Sequence, residues 1–108
     1  MYRMTILYGQ PVDAVAFRDY YESTHIPIAR KMKGLTGWNL SWLDPGSAYF
    51  LIAELYAESA EELQDILDSP EGAAANADLE NFVTGTVEFL CGPEVPVALA
   101  RASSSRLQ

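Results

Sequence analysis

His25 is the only histidine in the chain and its best candidate for proton transfer near neutral pH. It follows an aromatic segment with helical spacing and precedes Pro27 by two residues, so a change of chain direction at the proline would fix its position. In the functional interpretation, His25 is a general base that takes an acidic C–H or phenolic proton from a bound ligand. The alternative is a structural histidine that hydrogen-bonds the neighbouring backbone at a helix junction.

Aromatic side chains could build a cleft for a flat, hydrophobic ligand, because tyrosine and tryptophan provide an apolar wall with a polar tip. The candidates for ligand binding are Tyr8, Tyr21, Trp38, Trp42 and Phe50. Tyr20 is adjacent to Tyr21, and adjacent helical residues diverge, so the two cannot both point inward. For any single one of these residues the alternative is a place in the hydrophobic core.

Two carboxylates and the single thiol lie within segments that read as strands. Glu54 and Glu88 interrupt apolar runs, and a carboxylate buried there could serve as an acid or a base. The alternative is that both face solvent or the rim of a dimer. Cys91 lies late in the fourth predicted strand, where we expect a buried, unreactive thiol.

The remaining motifs point away from metal and phosphate chemistry. One histidine and one cysteine cannot form a conventional zinc site, so we expect no metal. The sequence also lacks a glycine-rich phosphate loop and a Gly-x-Ser-x-Gly nucleophile elbow.

The charge balance excludes further classes of partner. Fifteen acidic residues against seven basic ones give a formal charge of −8, which opposes nucleic-acid binding and anionic membranes. No apolar stretch approaches the length of a membrane span. One cysteine and no apparent signal peptide indicate a cytoplasmic protein. The basic residues Arg30, Lys31 and Lys33 either belong to a solvated face or form a positive patch for an anionic or enolic ligand.

The elements that must position these residues follow the order β-α-β-β-α-β. Four segments have the composition of strands: Tyr2–Tyr8, Trp38–Leu43, Tyr49–Tyr56 and Thr86–Cys91. After the first strand, a helix capped by Asp13 ends at Pro27, and a short second helix runs to Met32. After the third strand, a capping box at Ser59 and a helix start at Ser69-Pro70 predict two more helices.

This order predicts an α+β, ferredoxin-like fold with a four-stranded antiparallel sheet and both helix groups on one face. Both alternating sets of strand side chains are fairly apolar, whereas a sheet with one face in water shows a polar set. We therefore expect the open face to pack against a second copy, so that a homodimer forms a dimeric α+β barrel. Residues 1–92 form the single domain. The proline-containing tail, 93–108, is expected to cross partly to the partner and to be mobile at its end.

The segment from Phe17 to Ala29, FRDYYESTHIPIA, resembles the first-helix signature of the EthD-like family of the dimeric α+β barrel superfamily. Its most specific part is the His-x-Pro element after the aromatic helix. Shorter matches extend the resemblance over residues 2–92, at Gly34-Leu35, Asp44-Pro45, Tyr49, Ser69-Pro70-Glu71, Asp78 and Phe82.

The resemblance implies an association with the catabolism of small organic compounds, of the ethyl tert-butyl ether degradation type. Relatives in the superfamily include cofactor-free monooxygenases, polyketide cyclases, isomerases and haem-degrading enzymes, and fold alone does not select among these. Asn39 and Trp38 are adjacent and face opposite sides of a strand, and there is one histidine; both features weaken the haem-degrading and two-histidine mechanisms. We expect no cofactor.

Three hypotheses account for these features. The first is a small cofactor-free enzyme that acts on a hydrophobic cyclic or phenolic molecule, with His25 as base. The second is a non-catalytic module that binds a hydrophobic small molecule. The third is a dimeric interaction module without a sizeable pocket. If no cleft opens beside His25, the first two fail together.

Overall fold

The computed structural model describes residues 1–100 and contains the predicted order of strands and helices. The four strands are β1 (Tyr2–Gly9), β2 (Gly37–Trp42), β3 (Tyr49–Ala57) and β4 (Val87–Pro93). They form one sheet in the order β2-β3-β1-β4, and every neighbouring pair is antiparallel. The predicted ferredoxin-like α+β fold is therefore confirmed, whereas the two-copy barrel stays a prediction.

The helices α1 (Ala14–Tyr20), α2 (Ile26–Ala29), α3 (Ala60–Asp68) and α4 (Pro70–Ala77) pack on one face of this sheet. Three of the predicted helix starts are confirmed, because Asp13, Ser59 and Ser69 each accept a hydrogen bond from the third following backbone N–H. A 3-10 turn, Asp78–Asn81, continues α4. None of the helices in residues 1–100 has the length and apolarity that crossing a membrane requires.

The predicted helix end at Pro27 is wrong. A π-helical turn, Tyr21–His25, joins α1 to α2, so the helical path continues through Pro27 to Ala29. Ile26 N–H donates to the Tyr21 carbonyl five residues earlier, which adds one residue to this turn. The wider turn comes directly before the proline, which lacks an N–H and needs space for its ring. His25 is the last residue of the π turn.

The core lies between the sheet and the helices. Alternate residues of β1, namely Met4, Ile6 and Tyr8, are buried on the helix side. Their partners on β3, Leu55, Ala53 and Leu51, are buried beside them. The helical layer contributes Phe17, Tyr21, Leu63, Ile66, Ala75 and Phe82. Burying these side chains is the main favourable term that holds the two layers together.

The opposite face of the sheet is less apolar than the sequence predicts. It mixes hydrophobic and polar side chains: Arg3, Thr5, Leu7, Ile52, Glu54, Tyr56, Glu88 and Leu90. A bulge also changes the alternation at one end of β3, because Tyr8 pairs with Leu51 whereas Gly9 pairs with Tyr49. The bulge turns Phe50 to the helix side, where its ring centre lies 5.3 Å from that of Phe17.

The chain leaves the sheet after β4 as an arm, residues 94–100, without regular secondary structure. Glu94 N–H donates to the Met1 carbonyl at 2.8 Å, and no helix or strand follows up to residue 100. Val95, Val97 and Leu99 are exposed along this arm. The predicted mobile end of the tail lies outside the residues that the structure describes.

Candidate functional site

His25 is buried and forms a hydrogen bond with a buried carboxylate. Its Nδ1 lies 2.9 Å from Oδ2 of Asp78, and the side chains of both residues are about 5 % exposed. The π turn places the histidine at the start of α2, and the 3-10 turn places the aspartate at the end of α4. Because α2 and α4 pack against each other, the two halves of the fold bring this pair together.

Asp78 is held by two further hydrogen bonds. The Tyr20 hydroxyl donates to Oδ1 at 2.6 Å, and the Asn81 amide donates to the same oxygen at 2.9 Å. Burial alone would raise the pKa of Asp78, but the hydrogen bonds from Tyr20, Asn81 and His25 outweigh it and hold the pKa below its usual value. The carboxylate is therefore ionised at neutral pH.

An ionised carboxylate can only accept hydrogen bonds, so Nδ1 of His25 carries the proton of this bond. In the neutral imidazole the lone pair then lies on Nε2. The ring is also fixed by its neighbours, with centroid separations of 5.1 Å to Tyr21 and 4.7 Å to Phe82. These contacts leave one basic nitrogen in a set orientation.

His25 lines a cavity of about 60 Å³ between the sheet and the helices. The sheet side is formed by Met4, Ile6, Tyr8, Trp38, Leu55 and Phe89. The helical side is formed by Tyr21, His25, Ala29, Met32, Leu67, Gly72, Ala75, Asn76 and Leu79. No carboxylate, lysine or arginine of residues 1–100 is part of this lining. The cavity is a predominantly apolar chamber with a few polar atoms.

An open groove along the edge strand β4 adjoins the cavity, and Phe89 lines both spaces. The groove continues past Cys91, Asp68 and Ala73. Four more residues line both spaces: Met4, Leu67, Gly72 and Asn76. Phe89 is 46 % exposed, so residues 1–100 leave much of its surface uncovered. An apolar cavity of about 150 Å³ is the size that takes benzene, so a ring needs movement of a wall, and the exposed Phe89 is one wall with room to move.

Two polar atoms next to the cavity are buried without a hydrogen-bond partner: the hydroxyl of Tyr8 and Nε1 of Trp38. Leaving such a group unpaired costs about 1–3 kcal/mol each. The Trp38 indole lies toward the Tyr21 hydroxyl, but its N–H does not reach hydrogen-bond geometry. Burial raises the pKa of both Tyr8 and Tyr21 far above the usual value, so both hydroxyls keep their protons.

The five aromatic candidates divide into two groups. Tyr8, Tyr21 and Trp38 line the cavity with His25, whereas Trp42 and Phe50 do not. Trp42 and Trp38 share one face of β2, but four residues of strand separate them by about 13 Å. Trp42 instead packs edge-on against Phe50, and the guanidinium of Arg18 covers its ring at 4.5 Å.

The other candidates lie away from the cavity. Glu54 pairs with Arg3 at 3.4 Å, and Glu88 accepts a hydrogen bond from the Tyr49 hydroxyl at 2.9 Å. Both carboxylates lie on the face without helices, as the alternative interpretation predicts. The basic residues near His25, which are Arg30, Lys31 and Lys33, are exposed and are not part of the cavity lining.

The prediction of a buried Cys91 is wrong. The thiol belongs to the edge strand β4, beyond the cover of the helices, and it is exposed. Within residues 1–100, no cluster of three or more histidine, cysteine, aspartate or glutamate side chains is placed to hold a metal ion.

With this geometry established, the comparison with known proteins identifies the family. The EthD domain matches residues 9–86. This chain belongs to the EthD family. The resemblance predicted from the first helix is thus confirmed.

Relatives support the EthD assignment. The chain is 39 % identical over 102 residues to an uncharacterized 11.0 kDa protein in the thcB-thcC intergenic region of Rhodococcus erythropolis, covering 90 % of this chain and 98 % of the relative. The crystal structure of an ethyl tert-butyl ether d (EthD) family protein from Bacillus halodurans C-125 matches with a TM-score of 0.81 and 31 % identity, over 88 % of this chain and 99 % of that one. A dimeric protein of unknown function and ferredoxin-like fold from Bacteroides fragilis NCTC 9343 matches with a TM-score of 0.65 and 11 % identity, over 84 % and 93 %. At that identity it shows the fold alone.

Sequence reasoning gave Asp78 of this EthD protein no role in the site. The aspartate lies 53 residues from His25 and ends an alanine-rich helix, where a solvated acid is the ordinary expectation. A usable signal was the resemblance to the EthD-like family, because Asp78 is one of its shorter matches.

Proposed function

We propose that this EthD protein serves the catabolism of small organic compounds and carries out cofactor-free proton-transfer or oxidation chemistry on a hydrophobic cyclic or phenolic molecule. The observation that carries this proposal is the position of His25. Its Nδ1 is held by Asp78 at 2.9 Å, and its ring lines an apolar cavity. A base fixed in this way beside an apolar chamber suits the removal of a weakly acidic proton.

The chemistry begins with transfer of a C–H or O–H proton from the ligand to Nε2. The imidazolium that forms is buried, and an isolated buried cation is unfavourable. The ionised carboxylate of Asp78 offsets this cost, because it faces the ring at hydrogen-bond distance. Tyr20 and Asn81 keep that carboxylate in place.

The catabolic role is supported by what the relatives are called. The Bacillus halodurans protein is named for ethyl tert-butyl ether, and it is 31 % identical to this chain. The apolar lining of the cavity agrees with a hydrophobic ligand. We propose Tyr8, Tyr21 and Trp38 as ligand-binding residues inside the cavity. Trp42 and Phe50 act on this ligand only if it extends beyond the chamber.

The test uses a flat cyclic ketone, 2-tetralone, as probe. Its exchange of α-hydrogen for deuterium in D₂O is followed by proton NMR with the wild-type protein and with His25→Ala. We expect the wild type to accelerate exchange and His25→Ala to fall to the rate of buffer. Tyr49→Phe is the matched control, since its hydroxyl bonds Glu88 on the other face. Exchange at the wild-type rate with His25→Ala would contradict the proposal.

A second candidate function is non-catalytic binding of a hydrophobic molecule. The observation in its favour is the small, uncharged chamber, which suits retention as well as reaction. This function predicts saturable binding of 2-tetralone with no exchange above the buffer rate. The chamber beside His25 argues against a pure interaction module, which would not need one.

We propose further that the protein is a homodimer and that the arm, 94–100, crosses to the partner. The support is the exposed apolar row Val95, Val97 and Leu99 together with the exposed Leu90 on the open face. The triple variant Val95→Asp, Val97→Asp, Leu99→Asp should shift the molar mass measured by light scattering from dimer toward monomer. Val15→Asp, at an exposed site on α1, should leave it unchanged. A monomeric wild type would overturn the dimer, and a dimeric triple variant would overturn the crossing arm.

A cytoplasmic location is the last part of the proposal. It is supported by the exposed free thiol of Cys91, which persists in a reducing compartment. Fractionation of cells of the native host should recover the protein with the cytoplasm. Recovery in an exported fraction would contradict it.

A further inference from the structure

We propose that the Tyr8 hydroxyl and the Trp38 indole N–H form an oxyanion-binding site facing His25, and that the ligand is a neutral carbonyl compound with an acidic α C–H. This inference rests on the proposed function and narrows it to one substrate class. It starts from two buried donors that have no partner in residues 1–100.

The two donors belong to the same wall of the cavity. Tyr8 lies on β1 and Trp38 on β2, and both side chains are on the helix-facing side of the sheet. Both line the same cavity as His25, which belongs to the helical layer. The sheet wall therefore presents hydrogen-bond donors, and the helical wall presents a base.

The chemistry of these two groups determines which ligand atoms they can bind. The indole N–H can only donate, and Tyr8 is buried and protonated, so each offers a proton to an acceptor. A carbonyl oxygen is such an acceptor. An ether oxygen also accepts hydrogen bonds, but an ether has no α C–H acidic enough for a histidine base. The combination of two donors and one base favours the carbonyl class over the ether class.

The charge of the cavity lining indicates that the ligand is neutral before it reacts. Because the cavity lining contains no lysine or arginine, a carboxylate or phosphate would be desolvated without a countercharge. A neutral ketone avoids this cost. Its negative charge develops on oxygen only during reaction, which is where preorganised donors are most effective.

The step is balanced within the site. His25 Nε2 takes the α proton as the C–H bond breaks, and the electron pair of that bond forms a carbon–carbon double bond. The π electrons of the carbonyl move to oxygen, where the N–H of Trp38 and the O–H of Tyr8 stabilise the enolate. The imidazolium then returns the proton to oxygen or to another carbon, which gives an enol or an isomer and restores the neutral histidine.

The experiment separates binding from exchange. The probes are 2-tetralone and tetralin, its hydrocarbon analogue, each titrated into the wild type, Tyr8→Phe, Trp38→Phe and His25→Ala. We expect the wild type and His25→Ala to bind the ketone more tightly than the hydrocarbon. In Tyr8→Phe and Trp38→Phe this preference should fall, and α-deuterium exchange should slow by about 100-fold. Tyr49→Phe serves as the control with a hydroxyl removed on the other face.

A second measurement uses the wild-type protein, so it does not depend on the folding of a variant. The carbonyl carbon of ¹³C-labelled 2-tetralone shifts when its oxygen accepts hydrogen bonds, so wild-type protein should move this resonance downfield. Equal affinity of the wild type for ketone and hydrocarbon, or no carbonyl shift, would overturn the inference. If Tyr8→Phe and Trp38→Phe exchange at the wild-type rate, the oxyanion-binding role of the two donors is overturned. That result would leave His25 as the base. Ketone preference without any exchange would support the donors and contradict the proposed catalysis.

Discussion

Oδ2 of Asp78 lies 2.9 Å from Nδ1 of His25, although 53 residues separate the two in the sequence. The other carboxylate oxygen is occupied by Tyr20 and Asn81, so the oxygen that faces the histidine is selected by its neighbours. A carboxylate held in this way fixes both the orientation and the tautomer of the ring. This relationship makes Asp78 the positioning residue of the site.

Replacement of Asp78 by asparagine tests that role. Oδ1 would still accept from Tyr20 and Asn81, so the amide NH₂ would point at Nδ1 and force the proton onto Nε2. A wrong tautomer costs up to about 10⁴ in rate where a histidine acts as base, and we expect exchange of 2-tetralone to fall at least 100-fold. The histidine ¹⁵N spectrum should show the Nε2–H form. Exchange near the wild-type rate with an unchanged tautomer would remove Asp78 from the mechanism.

The lowered pKa of Asp78 predicts a pH dependence of stability. Its folded-state pKa lies below the unfolded value of 3.8. The carboxylate therefore contributes its full stabilisation above about pH 4, and the contribution is lost as the pH falls through the folded pKa. The stability difference between wild type and Asp78→Asn, from urea unfolding at pH 3 to 7, should shrink toward acid. The exposed variant Asp19→Asn should show a smaller pH-dependent difference, and a constant difference for Asp78→Asn would contradict the assignment.

The sequence predicted the fold well because local rules and tertiary packing agree in most elements. Asp13, Ser59 and Ser69 cap the helices where their spacing places them, and the turn at Asp44 to Ser47 joins β2 to β3. The predictions are wrong where one inserted residue changes the local backbone geometry. The π turn carries the helix past Pro27, and the bulge at Gly9 turns Phe50 to the other side of the sheet.

The site was less predictable than the fold for a similar reason. His25 stands out because it is the only imidazole, whereas Asp78 is one of fifteen acidic residues and gains its role only from a long-range contact. Trp38 and Trp42 share a strand face, so alternation could not show that only Trp38 borders the cavity. Such distinctions depend on how far each residue lies along the element, which periodicity does not encode.

Gly72 should be required for the close packing of α3 against α4. A Cβ atom at this position would clash with the backbone carbonyl oxygen of Ile66, and backbone cannot move aside as a flexible side chain would. We expect Gly72→Ala to lower the free energy of unfolding by about 1–3 kcal/mol. Gly92→Ala is the matched control, because nothing lies within 4 Å of its Cβ position. Equal stability of the two variants in urea unfolding would show that the junction adapts.

Phe89 should control entry to the cavity. Removal of its ring in Phe89→Ala joins the chamber to the groove along β4, so 2-tetralone should associate faster in stopped-flow fluorescence. Larger fused-ring ketones should gain more than cyclohexanone, because they need the added space. Leu90→Ala, which alters the opposite face of the same strand, provides the comparison. Association rates that respond equally to both substitutions would place the entrance elsewhere.

The most direct test of the account is the ¹⁵N NMR spectrum of histidine-labelled protein, because a chain with one histidine gives one pair of ring signals. In the neutral ring we predict a protonated Nδ1 and an unprotonated Nε2. Addition of 2-tetralone should shift the Nε2 signal and leave Nδ1, which stays bonded to Asp78, nearly unchanged. A proton on Nε2 of the neutral ring, or a spectrum that 2-tetralone at saturating concentration does not alter, would contradict the assignment of His25 as the base.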